Sequence, residues 1–149
     1  MRNLALRSVV SSVGVGLLAM VAVGCASHMH SQAVDPEDLP KFAGHYVGSY
    51  VDAGGNSVPA VLDVDAKGNY KMTIIGSDIT NSGKCSVVDG QVKCERTGRT
   101  GPSQDRAFAS ATVDVQEAPD GTISLAGFGR DDRGPLTVFF TRRGQPMKK

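Results

Sequence analysis

Cys85 and Cys94 flank the segment Ser86-Val87-Val88-Asp89-Gly90-Gln91-Val92-Lys93. Asp-Gly is a strong signal for a two-residue type I′ hairpin turn, because both central residues need positive φ. A turn at Asp89-Gly90 sets Val88 against Gln91, Val87 against Val92, Ser86 against Lys93 and Cys85 against Cys94. Alternation outward from the turn makes the cysteine pair non-hydrogen-bonded. At such a pair the Cα atoms approach to about 4.5 Å, within reach of a disulfide. The spacing is unlike Cys-x-x-Cys and no histidine lies near in sequence, so a structural bridge is expected over a redox or zinc pair.

The other reactive residue types assemble no catalytic group. His45 is the one histidine of the folded part, and no Gly-x-Ser-x-Gly turn presents a nucleophile. Asp63, Asp65, Asp131 and Asp132 sit beside turn glycines, where a carboxylate ordinarily accepts backbone N–H groups. Asp63-Val64-Asp65-Ala66-Lys67-Gly68 begins like a calcium loop, yet Lys67 fills a ligand position and Ile74 stands where the bidentate Glu belongs. Gly76 to Lys84 has glycines too far apart for a phosphate loop, and Cys85 follows its lysine. His28-Met29-His30 carries copper-binding side chains in a polar run that solvation explains. No catalytic residue and no metal ligand is expected. One segment stands out, Thr97 to Arg106, rich in Gly, Ser and Pro, with Arg99 and Arg106 inside it and Arg96 alongside. Two readings of it stay open, a mobile connector and an anion- or partner-binding loop.

The third cysteine, Cys25, ends a leader. Arg2 and Arg7 give a positive start, and Val9 to Val23 is an uncharged, mostly apolar run. That run is short for a membrane span of about 20 residues and suits a secretory signal peptide. Its end, Ala22-Val23-Gly24-Cys25, resembles the bacterial lipobox, with Ala22 where Leu is more usual. The resemblance covers only the leader. It implies cleavage before Cys25, diacylation of the Cys25 sulfur and, in many members, acylation of the new amino terminus. By the same resemblance Ala26, which is not Asp, favours the outer membrane. Two or three acyl chains give stable anchoring where one gives marginal binding.

The sequence has 16 basic and 15 acidic residues, and two of the basic ones lie in the leader. Near-neutrality gives no reason to expect a nucleic-acid partner, which usually needs a basic face. With no Trp, the core must come mainly from Val, Ile, Leu and Ala.

These residues need elements to place them. Ala26 to Lys41 is polar, holds Pro36 and Pro40, and reads as a flexible tether reaching roughly 20–25 Å. From Phe42 onward, period-two runs alternate with turn signals: Phe42–Val51, Ser57–Asp65, Asn69–Gly76, two runs flanking Asp89-Gly90, Ala107–Glu117, Thr122–Phe128 and Leu136–Arg142. Val58, Ala60, Leu62 and Val64 should share the core face, as should Tyr70, Met72 and Ile74. So should Ala107, Ala109, Ala111, Val113 and Val115. The alanines suggest a tight interior with little room for a large ligand. The first run, Phe42-Ala43-Gly44-His45-Tyr46-Val47-Gly48-Ser49-Tyr50, puts glycines and tyrosines on one face. Its Gly-x-Tyr-x-Gly-x-Tyr core resembles the first strand of small calycin-type barrels such as avidins and lipocalins.

The expected architecture is all-β: one antiparallel meander of about eight strands, closed as a barrel or folded as a sandwich, with one hairpin disulfide. The expected divisions are signal peptide 1–24, lipidated Cys25 and tether 25–41, β-domain 42–144, and basic tail 145–149. The reading is a non-enzymatic envelope lipoprotein, without a cofactor beyond the lipid on Cys25, partnered by the bilayer and by an envelope protein. Two alternatives stand beside it, an inhibitor of a secreted hydrolase and a carrier of a small apolar ligand.

Overall fold

The computed structural model describes residues 30–102 and 109–142. The leader, Cys25, His28, Met29, Arg106 and the basic tail lie outside the described residues. The meander closes on itself. Strands β2 (Gly44–Val51), β3 (Ser57–Val64), β4 (Asn69–Ile74), β5 (Thr80–Val88), β6 (Gln91–Thr100), β7 (Ala109–Glu117), β8 (Ile123–Asp131) and β9 (Gly134–Arg142) each pair antiparallel with the next. Strand β9 then pairs back to β2, completing an eight-stranded barrel. Closure explains how short strands of this kind are stable, because it leaves no row of unpaired edge groups.

The turns show why the strands stop where they do. Asp52-Ala53-Gly54-Gly55-Asn56 and Asp65-Ala66-Lys67-Gly68-Asn69 are the same device used twice. In each, the Asp N–H donates to the Asn carbonyl, the Gly N–H returns to the Asp carbonyl, and the Asp Oδ1 accepts the Asn N–H. Gly55 and Gly68 both take φ +80°, which only glycine adopts without strain. Ala118 to Thr122 repeats the backbone bonds without the leading Asp. The two-residue turn at Asp89 (φ 52°) and Gly90 (φ 77°) is the type I′ hairpin of the sequence. Its register pairs Val88 with Gln91, Val87 with Val92, Ser86 with Lys93 and Cys85 with Cys94. The cysteines are bonded, with Cα atoms 3.9 Å apart.

The barrel interior is filled by alternate residues. Tyr46, Ala60, Val113, Val115, Leu125 and Phe140 are buried in one cluster. Two inward glycines let neighbouring backbones close up. A Cβ on Gly48 would fall 2.0 Å from the Phe139 carbonyl oxygen, and one on Gly127 would fall 2.0 Å from that of Thr112.

Residues before Phe42 do not form the expected free tether. β1 (His30–Gln32) adds to β7, with His30 opposite Glu117 and Gln32 opposite Val115. A 3-10 helix, Pro36–Phe42, follows and packs on β5. Proline excludes α-helix only in its interior, and Pro36 here starts the 3-10 turn, where its fixed φ fits and its missing N–H is not needed. Ala33 to Lys41 therefore belong to the folded unit. Leu39 and Phe42 of this segment reach the barrel interior at one end. Arg142 fastens it: the guanidinium donates to the carbonyls of Ala43 and Lys41 and lies 5.6 Å over the Tyr46 ring. The Tyr46 hydroxyl in turn donates to the Phe42 carbonyl.

The exterior has two unlike halves. The middle rows of outward residues on β8, β9, β2 and β3 are Ala126, Phe128, Thr137, Phe139, Thr141, Val47, Ser49, Val51, Pro59 and Val61, none of them charged, bordered by Arg130 at one end and by His45 and Asp63 at the other. Those of β5 to β7 include Lys84, Lys93, Glu95 and Asp114.

Candidate functional site

Within the barrel lies a cavity of about 120 Å³. Its walls are mainly apolar: Leu62 and Val64 from β3, Met72 from β4, Val92 from β6, Val113 from β7, Leu125 from β8, and Val138 and Phe140 from β9. Leu39 and Phe42 close it at the 3-10 end. Ala109 and Ala111 line it too, and Ala107 lies outside the described residues. In a closed barrel, strand number and shear fix the radius. A small side chain then leaves space that no backbone can move in to fill.

The other end is polar. Tyr50, Asn81, Arg96, Arg99 and Asp131 all face the cavity, and they come from strand ends beside the Asp52–Asn56, Gly76–Ile79 and Asp131–Gly134 connections. Arg96 and Arg99 are three residues apart, so a regular strand would aim them to opposite faces. A β-bulge intervenes. Ser82 pairs with Gly98 but Gly83 pairs with Arg96, leaving Thr97 as the extra residue. The bulge shifts the alternation by one and turns both guanidiniums inward. Gly83 assists, since a Cβ there would lie 2.6 Å from the Tyr70 ring, which crosses this position toward Arg96.

Arg96 is buried, with its Nη2 4.0 Å from Asp132 Oδ2. A buried guanidinium is tolerable only with such partners. Asn81 is 4% exposed, and its Oδ1 makes no hydrogen bond among the described residues. An acceptor removed from water and left unsatisfied costs about 1–3 kcal/mol, so this one asks for a donor from the cavity. Burial pushes the Tyr70 hydroxyl up to about 12, against a lowering by Arg96. Burial also raises Tyr50, while Arg99 pulls it back down. Both phenols are therefore neutral hydrogen-bonding groups over the physiological range.

The structure thus brings Arg96 and Arg99 together, but on β6 rather than on a loop: the strand runs to Thr100, four residues into the segment read as a loop from Thr97. The alternation rule reads one register per strand and cannot foresee a bulge, which is why the loop reading arose. Arg106 lies outside the described residues. Sequence reasoning gave Asp131 a turn role and Tyr50 a place in a curved first strand, and it missed Asn81, whose signal is its place two residues before Gly83 and four before Cys85, on the inward face.

The remaining candidates resolve into structural roles. Asp65 accepts from the Lys67 and Asn69 N–H groups, and Asp131 from the Arg133 N–H. Asp63 instead faces outward, 2.7 Å from His45 Nδ1, both side chains more than half exposed. Among the described residues no group of three or more His, Cys, Asp or Glu is placed to hold a metal ion. No helix there is long and apolar enough to cross a membrane. Comparison of the chain with protein-family models, with characterised proteins and with solved structures finds no match.

Proposed function

We propose that this chain is an exported, lipid-anchored envelope protein whose barrel binds one small, mainly apolar molecule carrying a hydrogen-bond donor. The observation that supports the binding role is the cavity: about 120 Å³, apolar along its walls, with the unsatisfied Asn81 Oδ1 and the Arg96 and Arg99 guanidiniums at one end. Apolar cavities of this order take a guest about the size of a single aromatic ring. A small barrel is the architecture that holds one such ligand. The address rests on the lipobox resemblance at Ala22-Val23-Gly24-Cys25 and on the Cys85–Cys94 bond, which persists in an oxidising compartment. This reading favours the carrier over the hydrolase inhibitor, because the polar groups converge inside the barrel rather than on a protruding loop.

The test is binding of ring-sized phenols and short-chain alcohols by calorimetry. Wild-type protein should bind at least one of them, and Ala111→Phe, which fills the cavity, should abolish binding while leaving the unfolding transition in place. Asn81→Leu should weaken phenol more than toluene. Equal binding by wild type and A111F would overturn the assignment of the cavity.

A further inference from the structure

We infer that the uncharged band across the middle of β8, β9, β2 and β3 is a bilayer-docking face, so that the anchored protein lies on its side against the phospholipid surface. The inference rests on the lipid-anchored reading above. Three independent observations carry it.

The first is the face itself. Phe128 is 76% exposed and Phe139 50%, with Val47 at 52% and Val51 at 36%. Ile75, 52% exposed, continues the face beyond Val61, its N–H donating to the Pro59 carbonyl. The strands β8, β9, β2, β3 and β4 are sequential neighbours, so these side chains form one band about 20 Å wide. Large exposed apolar patches mark interaction surfaces, and aromatic rings are suited to the level of lipid headgroups.

The second is the length of chain before the barrel. β1 starts at His30, so five Cα steps separate it from Cys25. Five steps reach at most about 18 Å. An acylated Cys25 thus holds the folded unit against the membrane. At that distance even a weakly attractive flank meets lipid at high effective concentration.

The third is charge. Among the described residues the end of the barrel nearest the anchor carries Asp35, Glu37, Asp38, Asp65, Asp89, Glu117 and Asp120 with Lys41, Lys67 and Arg142, and Arg143, Lys148 and Lys149 follow Arg142 in the sequence. Standing on that end would press many charges of both signs into the headgroups and strip their water, which is costly. The middle of the flank offers no charge to desolvate, and Arg130, Asp63 and Lys71 stand at its borders. The polar half, with Lys84, Lys93, Glu95 and Asp114, then faces water.

The chain has no Trp, so a single substitution supplies a clean reporter. Full-length protein, made with its own leader and extracted from membranes, is reconstituted into vesicles of phosphatidylethanolamine and phosphatidylglycerol, with and without acyl-brominated lipid. F139W and F128W should show blue-shifted emission that brominated lipid quenches. S86W, on outward β5 across the barrel, should show neither. In mature protein lacking the acyl anchor through Cys25→Ser, the double variant F128S/F139S should bind vesicles about tenfold more weakly than its parent, since interfacial affinity scales with the apolar area inserted. Protein that floats with vesicles while F139W and F128W stay unquenched would overturn the docking face and leave anchoring intact. An intact mass without acyl groups would overturn anchoring; quenching of F139W at saturating vesicles then decides the face alone, and its absence sinks it. Shielding of F139W by an added envelope protein but not by lipid would also overturn the inference.

Discussion

Single residues set the pH behaviour of the barrel. All three tyrosines, Tyr46, Tyr50 and Tyr70, are raised by burial above the ordinary phenol value of 10, Tyr70 to about 12. A raised folded-state value contributes stability that is complete below the unfolded value and is lost as pH climbs through the folded one. Stability should therefore fall between pH 10 and pH 12, and absorbance at 295 nm should show no free-phenol step near pH 10 before unfolding. A stepwise ionisation in the folded protein at pH 10 would contradict the buried placement. Turn carboxylates behave oppositely. The Asn69 side chain, with the Asn69 and Lys67 N–H groups, holds Asp65 low, and the Asn56 N–H leads in holding Asp52 low. Their contribution is present above the ordinary carboxylate value near 4 and is lost as pH falls through the depressed ones. Asp65→Asn should make acid unfolding less steep, as read by circular dichroism. The disulfide closes a loop of sequence separation 9, so C85S/C94S should cost about 2–3 kcal/mol in denaturant unfolding and leave the hairpin register unchanged.

At the scale of elements, most of the fold was legible because the turns are written in residues with one job. Asp89-Gly90 fixed the central hairpin, and with it the facing of Cys85 and Cys94. Asp-Ala-x-Gly-Asn, used twice, ended β2 and β3 where the alternation ran out. Three elements were not legible, for different reasons, the first being β1, whose three residues are too few to show alternation. The 3-10 helix Pro36–Phe42 has too few residues for periodicity to register, and its order comes from distant Arg142, whose bonds to Ala43 and Lys41 span nearly the whole domain. The bulge at Thr97 is a property of two strands jointly, invisible in either. Arg142→Leu should cost about 2 kcal/mol, as it strands the Ala43 and Lys41 carbonyls. Arg142→Lys should recover little of it, because one ammonium cannot reproduce the fork. Gly127→Val should cost about 3 kcal/mol or prevent closure, since its Cβ has no space against Thr112.

For the whole molecule, the sequence carried the eight-stranded antiparallel meander and left barrel and sandwich open, while the candidate site depended on closure. Tyr50, Asn81, Arg99, Asp131 and Leu136 come from five different strands or their ends, and only a closed cylinder points them at a common space. No spacing along the chain announces such a set. The interior and the exterior then divide the work we propose: a cavity for a ring-sized guest, and an uncharged flank toward lipid.

Seven of the eight barrel pairings join strands that follow one another in the chain, and the eighth joins β2 to β9. Each hairpin can zip as soon as its two strands have emerged, at the small entropic cost of a short loop. The seam between Val47–Val51 and Thr137–Thr141 has no partner until the last strand arrives. A chain that emerges from its amino end therefore stays an open, unsealed ribbon until β9 is out, and becomes a cylinder only then. Loss of the last seven residues of β9 should leave a product that protease removes rather than a smaller stable barrel.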